Sequence, residues 1–207
     1  MNSIIKKMFG KRQQAENKRT EETTMSEPLK IGIILGSTRQ GRVSTQVGEW
    51  AKNIADERSD AHYEIVDIAD YDLPFLGTTA GTEPGLAKWA EKINELDAYV
   101  FVVAEYNHSI TGTLKNAIDS APTTAWNNKA ASIMSYGSTG GARAAEHLRG
   151  ILGELMVADT RVHPTFSLFM DFENFSTFEP GDLHLENMTM MLEQLNTWGR
   201  ALKSVRN

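Results

Sequence analysis

The chain has 207 residues, 41% of them hydrophobic and 23% charged, the mix of one ordinary globular domain with at most a tail. It contains no cysteine, which excludes a disulfide framework, a thiolate metal site and a cysteine nucleophile. A formal charge of −6 argues against bulk nucleic-acid binding, and no apolar run approaches the ~18 residues that span a bilayer.

Residues 1–24 carry six basic and three acidic side chains, a net +3, so the remainder carries −9. After Phe9 this stretch is almost purely polar, and residues 1–28 are expected to form an extension that cannot fold alone. Its start sets Ile4, Ile5, Met8 and Phe9 among basic side chains, a pattern that also fits surface attachment or a targeting segment. Residues 29–207 are then the folded domain. Residues 29–35 (LKIGIIL), stopped by Gly36, predict a buried strand. Val43, Val47, Trp50 and Ile54 recur at helical spacing through about Asp56. Residues 62–68 (HYEIVDI) are rich in β-formers and predict a second strand. A loop with Pro74, Gly77, Gly81 and Pro84 leads to a helix marked by Leu86, Trp89, Ile93 and Leu96. Residues 98–103 (AYVFVV) predict a third strand, apolar throughout as in a strand covered on both faces.

Leu114, Ala117 and Ile118 predict a short helix, residues 130–136 (AASIMSY) a fourth strand, and Ala144, Leu148, Ile151 and Leu152 a further helix. Residues 162–168 predict a fifth strand, interrupted by Pro164. The last helix carries a stripe of Leu185, Met188, Leu192, Leu195, Trp198, Leu202 and Val205. Strand alternating with helix is the α/β pattern, and right-handed crossovers place helices on both faces of a parallel sheet. Ligands of such sheets sit beyond the carboxyl ends of the strands, so the loops after strands one, three and four are the places to look.

The first of these loops, GSTRQGRVS at 36–44, joins a strand to a helix. It offers free N–H groups at a helix start, the hydroxyls of Ser37, Thr38 and Ser44, and the forked donors of Arg39 and Arg42, a set suited to a phosphomonoester. Neither the triphosphate loop GxxxxGK[ST] nor the dinucleotide fingerprint GxGxxG is present. The second loop, AEYNHS at 104–109, follows an apolar strand with a ring and an amide. The third, YGSTGGAR at 136–143, has three glycines in five residues, which allows close backbone approach to a ligand. Taken singly, each also reads as an ordinary turn.

GSTRQGR at 36–42, EYN at 105–107, LKNAID at 114–119 and YGSTGGARA at 136–144 occur in the order and spacing that resembles the NADPH-dependent FMN reductase family, which includes flavodoxin-like quinone, azo and chromate reductases. The resemblance spans roughly residues 29–168. It implies a flavodoxin-like, three-layer fold on a five-stranded parallel sheet of order 2-1-3-4-5, bound FMN, NADPH or NADH as hydride donor, a small-molecule acceptor and a homodimer or homotetramer. By position, Ser37, Arg39, Arg42 and Ser44 would hold the FMN phosphate; Glu105, Tyr106 and Asn107 would meet the flavin ring from one loop, and Gly137, Ser138 and Gly140 from the other. One departure is Ala104, where the family often has Pro, which bears on loop stiffness. No side chain is required as a nucleophile, because the flavin carries the chemistry.

The implied activity is hydride transfer from NAD(P)H to the flavin, then two-electron reduction of a quinone, azo compound, chromate or free flavin. The alternative is an FMN-holding electron carrier that does not oxidise NAD(P)H productively. The five histidines form no HExxH or other compact pair, and no GxSxG elbow is present, so neither a metal site nor a serine hydrolase is expected. His108 reads as a surface residue or as part of the acceptor pocket. Trp126, in a polar stretch, reads as a cap on the flavin site, a dimer contact or local packing. A cytoplasmic protein without stable membrane insertion is expected.

Overall fold

A computed structural model describes residues 27–206. Most of the extension expected at 1–28 therefore lies outside the described residues. Strands β1 (Leu29–Leu35), β2 (Ala61–Asp67), β3 (Ala98–Ala104), β4 (Lys129–Gly137) and β5 (Val157–Asp159) pair in the order β2-β1-β3-β4-β5, all parallel. This is the flavodoxin-like order. Between the strands run α1 (Ser44–Asp56), α2 (Pro84–Glu95), α3 (Gly112–Ser120), α4 (Thr123–Trp126) and α5 (Ala142–Glu154), and α6 (Leu183–Lys203) closes the fold.

Strand alternation divides the core in two. In β3, every residue of which is buried, Val100 and Val102 point to the face covered by α1 and α6, where Val47, Met188, Leu192 and Leu195 meet them. Tyr99, Phe101 and Val103 point to the opposite face, covered by α2 to α5 with Trp89, Ile93, Leu114 and Leu148. Trp126 belongs to this second layer: it is fully buried, 5.1 Å from Tyr99 ring to ring and stacked at 6.3 Å on Phe101. It is local packing, and no cap over a cofactor.

Two expectations are corrected. The fifth strand, expected at 162–168, is only β6 (Thr165–Ser167); β5 precedes that range, and both pair with β4, so the main sheet has six strands. Pro164 marks the break between them, since it has no N–H for the ladder, and its carbonyl accepts from Ser135 N at 3.0 Å. The apolar stripe of α6 is also rotated. Leu185, Trp198 and Val205 are exposed, while Met191, Asn196 and Gly199 turn inward with Met188, Leu192 and Leu195. Gly199 packs so closely that a Cβ would come within 2.8 Å of the end of the Leu29 side chain. A two-stranded antiparallel hairpin, β7 (Phe172–Glu173) and β8 (Thr177–Phe178), follows β6 and was not expected.

At the amino edge of the sheet, Lys129 is buried, with 3% exposure. Its Nζ donates to Ile93 O at 2.6 Å and Asn94 O at 3.0 Å and lies 5.5 Å above the Tyr99 ring. Burial, and then the charge of Arg206, push its pKa down to about 8, against an opposing pull from Asp97. The unfolded chain binds this proton more tightly than the fold does, so the cost to stability is relieved as pH rises from about 8 toward 10.5. Denaturant unfolding between pH 8 and 9.5 should show wild-type stability rising, by at most ~1.4 kcal/mol per pH unit, and the rise should vanish in Lys129→Met.

Candidate active site

The three loops come together at the carboxyl edge of the sheet, because β1, β3 and β4 are adjacent and parallel. The chain leaves β1 through Gly36, whose N–H donates to Val102 O at 2.9 Å and whose carbonyl accepts from the Thr111 hydroxyl. A Cβ at Gly36 would meet Val102 O at 2.8 Å, which is why glycine stands there. Thr111 also accepts from Leu114 N at 3.0 Å, capping α3 and tying it to the first loop.

Ser37 and Ser44 are buried, whereas Arg39 is exposed and forms no ion pair among the described residues. Arg42 Nη2 pairs with Asp67 Oδ2 at the end of β2, and Asp67 Oδ1 also accepts from Ala69 N at 3.0 Å. Val43 gives α1 no side-chain cap, so its first-turn N–H groups remain available. Buried Arg42 Nε has no partner among the described residues, and the buried Ser44 hydroxyl has only the Tyr136 phenol beside it. A buried donor without a partner costs about 1–3 kcal/mol, so a loop that gathers several is built for a ligand that satisfies them, and the charge favours an anion. A phosphate group fits this set.

The second loop turns sharply. Tyr106 and Ser109 bridge antiparallel, with N to O distances of 2.9 and 3.1 Å, and Asn107 and His108 between them are left-handed at φ 48 and 75°. Two consecutive left-handed residues make a turn of the I′ kind, which Asn tolerates better than most side chains. The turn leaves Tyr106 exposed at the rim, and the His108 ring lies 5.9 Å from that of His147, nearly parallel at 13°.

Glu105 faces the third loop. Its carboxylate accepts from Arg143 Nε at 2.6 Å, Arg143 N at 3.1 Å and Ala144 N at 3.4 Å, and so caps α5. Burial raises its pKa, but the hydrogen bonds and charge of Arg143 and the Ala144 N–H outweigh that, and the carboxyl titrates below its usual range. The third loop reaches α5 through Gly140 and Gly141, left-handed at φ 71 and 74°. At Gly141 a Cβ would lie 2.7 Å from Tyr136 N. Tyr136 itself is buried; burial pushes its phenol up to about 12, an effect increased by Tyr106 and tempered by the hydroxyls of Ser44 and Ser37 and by Arg39.

These elements enclose a cavity of about 210 Å³. Of the residues expected in the site, Ser37, Arg39, Arg42, Glu105, Tyr106 and Gly137 line it. Ser44, Asn107, Ser138 and Gly140 do not: Ser44 is fully buried, Asn107 and Ser138 are exposed, and Gly140 is packed against Thr165. Lining residues not foreseen include Tyr136, Leu168 and Phe175. Tyr136 stood in the glycine motif, whereas Phe175 carried no sequence signal. A second hollow of about 530 Å³ lies beyond the first loop, bounded by Thr38, Asp72 and Asn116, whose amide clamps Pro74 O at 2.9 Å and Leu76 N at 2.8 Å.

Residues 29–169, more than half of the chain, match the model of the NADPH-dependent FMN reductases. The chain belongs to that family. It is therefore an oxidoreductase, with FMN and NAD(P)H as cofactors. An NAD(P)H-dependent FMN reductase of Schizosaccharomyces pombe is 33% identical over 144 residues, covering 66% of this chain and 70% of that one. Another NAD(P)H-dependent FMN reductase, from a Nectria species, is 33% identical over 179 residues, covering 79% and 88%. Among solved structures, the flavoenzyme NAD(P)H:(acceptor) oxidoreductase FerB of Paracoccus denitrificans superposes with a TM-score of 0.66 at 19% identity, over 84% of this chain and 98% of that one, a likeness of fold. No helix among the described residues is long and apolar enough to cross a membrane, and no group of three or more potential metal-ligating side chains occurs among them.

In this reductase Glu105 joins two of the three loops, which makes it a target for mutation. A carboxylate with a lowered folded-state pKa stabilises the fold above its unfolded pKa, and that contribution is lost as pH falls through the folded value. Glu105→Ala should cost about 1–3 kcal/mol in urea unfolding at pH 7, and the difference from wild type should shrink in strongly acid buffer.

Proposed function

We propose that this family member binds FMN in the cavity at the carboxyl edge of β1, β3 and β4, oxidises NADPH or NADH there, and reduces a small acceptor such as a quinone. The observation that carries the reading is the first loop. It combines an exposed arginine and a second arginine with a buried Nε, the one without an ion pair and the other without a hydrogen-bond partner among the described residues, and an uncapped helix start, all beside a cavity whose other walls are an exposed tyrosine and a glycine-rich turn. When bound, the flavin supplies hydride acceptance and two-electron release.

The protein's part is placement and electrostatics. Arg39, Arg42 and the first-turn N–H groups of α1 bind the phosphate, with Ser37 as the hydroxyl partner that lines the cavity. Asp67 holds Arg42 in one orientation, so little rotamer freedom is lost when the ligand arrives. Of the second loop, Glu105 and Tyr106 would meet the ring, Glu105 by its backbone since its carboxylate is engaged with α5. In the turn of Gly137, Ser138 and Gly140, the Gly140 N–H is already given to Gly137 O at 3.1 Å, so the backbone at Gly137 and Ser138 is what would face negative charge on a bound ring. His108 and Asn107 are exposed at the turn, and His108 lines a separate hollow with Arg143, Glu146 and His147.

The test begins with the full chain supplied with FMN. Uptake with a flavin spectrum, and loss of nicotinamide absorbance on adding a quinone, is the expected result; FMN uptake without NAD(P)H oxidation would make the chain an electron carrier, and no uptake would overturn the reading. Arg39→Ala should raise the FMN dissociation constant by about 10- to 100-fold, the worth of a charge-assisted hydrogen bond. Because Arg39 is exposed, urea stability should change by less than ~0.5 kcal/mol.

A further inference from the structure

The hairpin of β7 and β8 is the least expected part of the fold, and it reaches the cavity. Its base is fixed from several sides. Phe178 packs edge-on against Trp50 at 5.8 Å and Phe166 at 4.9 Å. The Gln46 side chain of α1 donates to Ser176 O at 2.7 Å and accepts from Phe178 N at 3.0 Å. Asp171, buried just before the hairpin, accepts from Ser167 N at 2.7 Å and contacts His184 Nε2 at 2.9 Å.

The tip is different in kind. Asn174 and Phe175 are both left-handed, at φ 49 and 59°, and the turn closes with Ser176 N donating to Glu173 O at 3.1 Å. Asn is at home in that region; a bulky aromatic residue is an outlier there. The strained backbone also turns the Phe175 ring out of the core: it is 59% exposed and lies on the cavity wall with Leu168. Phe169, itself exposed, backs it edge-on at 5.6 Å. Tyr106 lines the same cavity, also exposed. A backbone held in a costly conformation by a rigid base, presenting an apolar ring to solvent beside a cavity, points to a ligand face rather than to packing.

We propose that Phe175, backed by Phe169, is a stacking wall that selects flat aromatic acceptors at this site over inorganic oxidants. The proposal rests on the flavin-reductase reading above. A planar quinone gains dispersion and quadrupole contact from an aromatic face, whereas a hydrated inorganic anion gains neither.

The experiment compares FMN-loaded wild type with Phe175→Asn and Phe175→Tyr. Three quantities are read: the FMN dissociation constant; the dissociation constant of 1,4-dimethoxynaphthalene, a redox-inert planar probe followed by perturbation of the flavin bands; and the ratio of KM values for 2-methyl-1,4-naphthoquinone and hexacyanoferrate(III). Asn suits the left-handed backbone, so Phe175→Asn should be at least as heat-stable as wild type, with FMN affinity within twofold. It should bind the probe about tenfold more weakly and raise the KM ratio about tenfold, while Phe175→Tyr stays near wild type in both. A fall in thermal stability would assign Phe175 to the fold, and a matching loss of FMN affinity would assign it to the cofactor. Unchanged probe binding and an unchanged KM ratio would remove it from the site. Each of these outcomes overturns the proposal while leaving the flavin reading intact; wild type that takes up no FMN overturns that reading as well.

Discussion

The contact on which the site depends is that between Gly36 and β3. The Gly36 N–H reaches Val102 O, and its carbonyl takes the Thr111 hydroxyl that also caps α3. This fixes how the chain leaves β1, and so where Arg39, Arg42 and the start of α1 lie relative to the loop after β3. The glycine has no alternative, because a Cβ would strike the Val102 carbonyl. A parallel sheet supplies the rest. Every strand of the β1-β3-β4 group ends at one edge; the helix after β1 begins there uncapped, while Thr111 and Glu105 cap the helices after β3 and β4.

Glu105 does for the second and third loops what Thr111 does for the first. Its side chain spans from the end of β3 to the start of α5, and a Cβ at Gly137 would come within 3.1 Å of its own Cβ. The acid is therefore part of the frame on which the rim is built. The resemblance had implied a meeting with the flavin ring; in the structure the carboxylate is occupied with Arg143 and the α5 amides, and only its backbone and stem remain at the cavity.

Much of this was legible in the sequence. Apolar runs such as AYVFVV and AASIMSY identify strands buried on both faces, and Gly36 and Gly137 mark the strand ends where the site forms. The break between β5 and β6 could be suspected from Pro164 but not located, since each fragment has only three residues, too few for a periodic signal. The α6 stripe misled because a long helix that leaves Trp198 in solvent and buries Asn196 against the Tyr63 hydroxyl does not follow hydrophobicity alone. Trp126 left three readings open for lack of apolar neighbours in sequence, because its partners Tyr99 and Phe101 come from a strand more than twenty residues earlier. The hairpin and Phe175 were not legible, because strands of two residues carry no alternation and a strained φ leaves no compositional mark.

The pairing of Arg42 with Asp67 has a consequence for how an anion arrives. The loop holds two guanidinium groups, but one is already neutralised from behind, so an approaching phosphate meets a field close to that of a single positive charge. Long-range attraction is correspondingly weak in a body that carries a large excess of acids. Association should thus depend little on ionic strength, and tightness should come from short-range fit once the phosphate has docked.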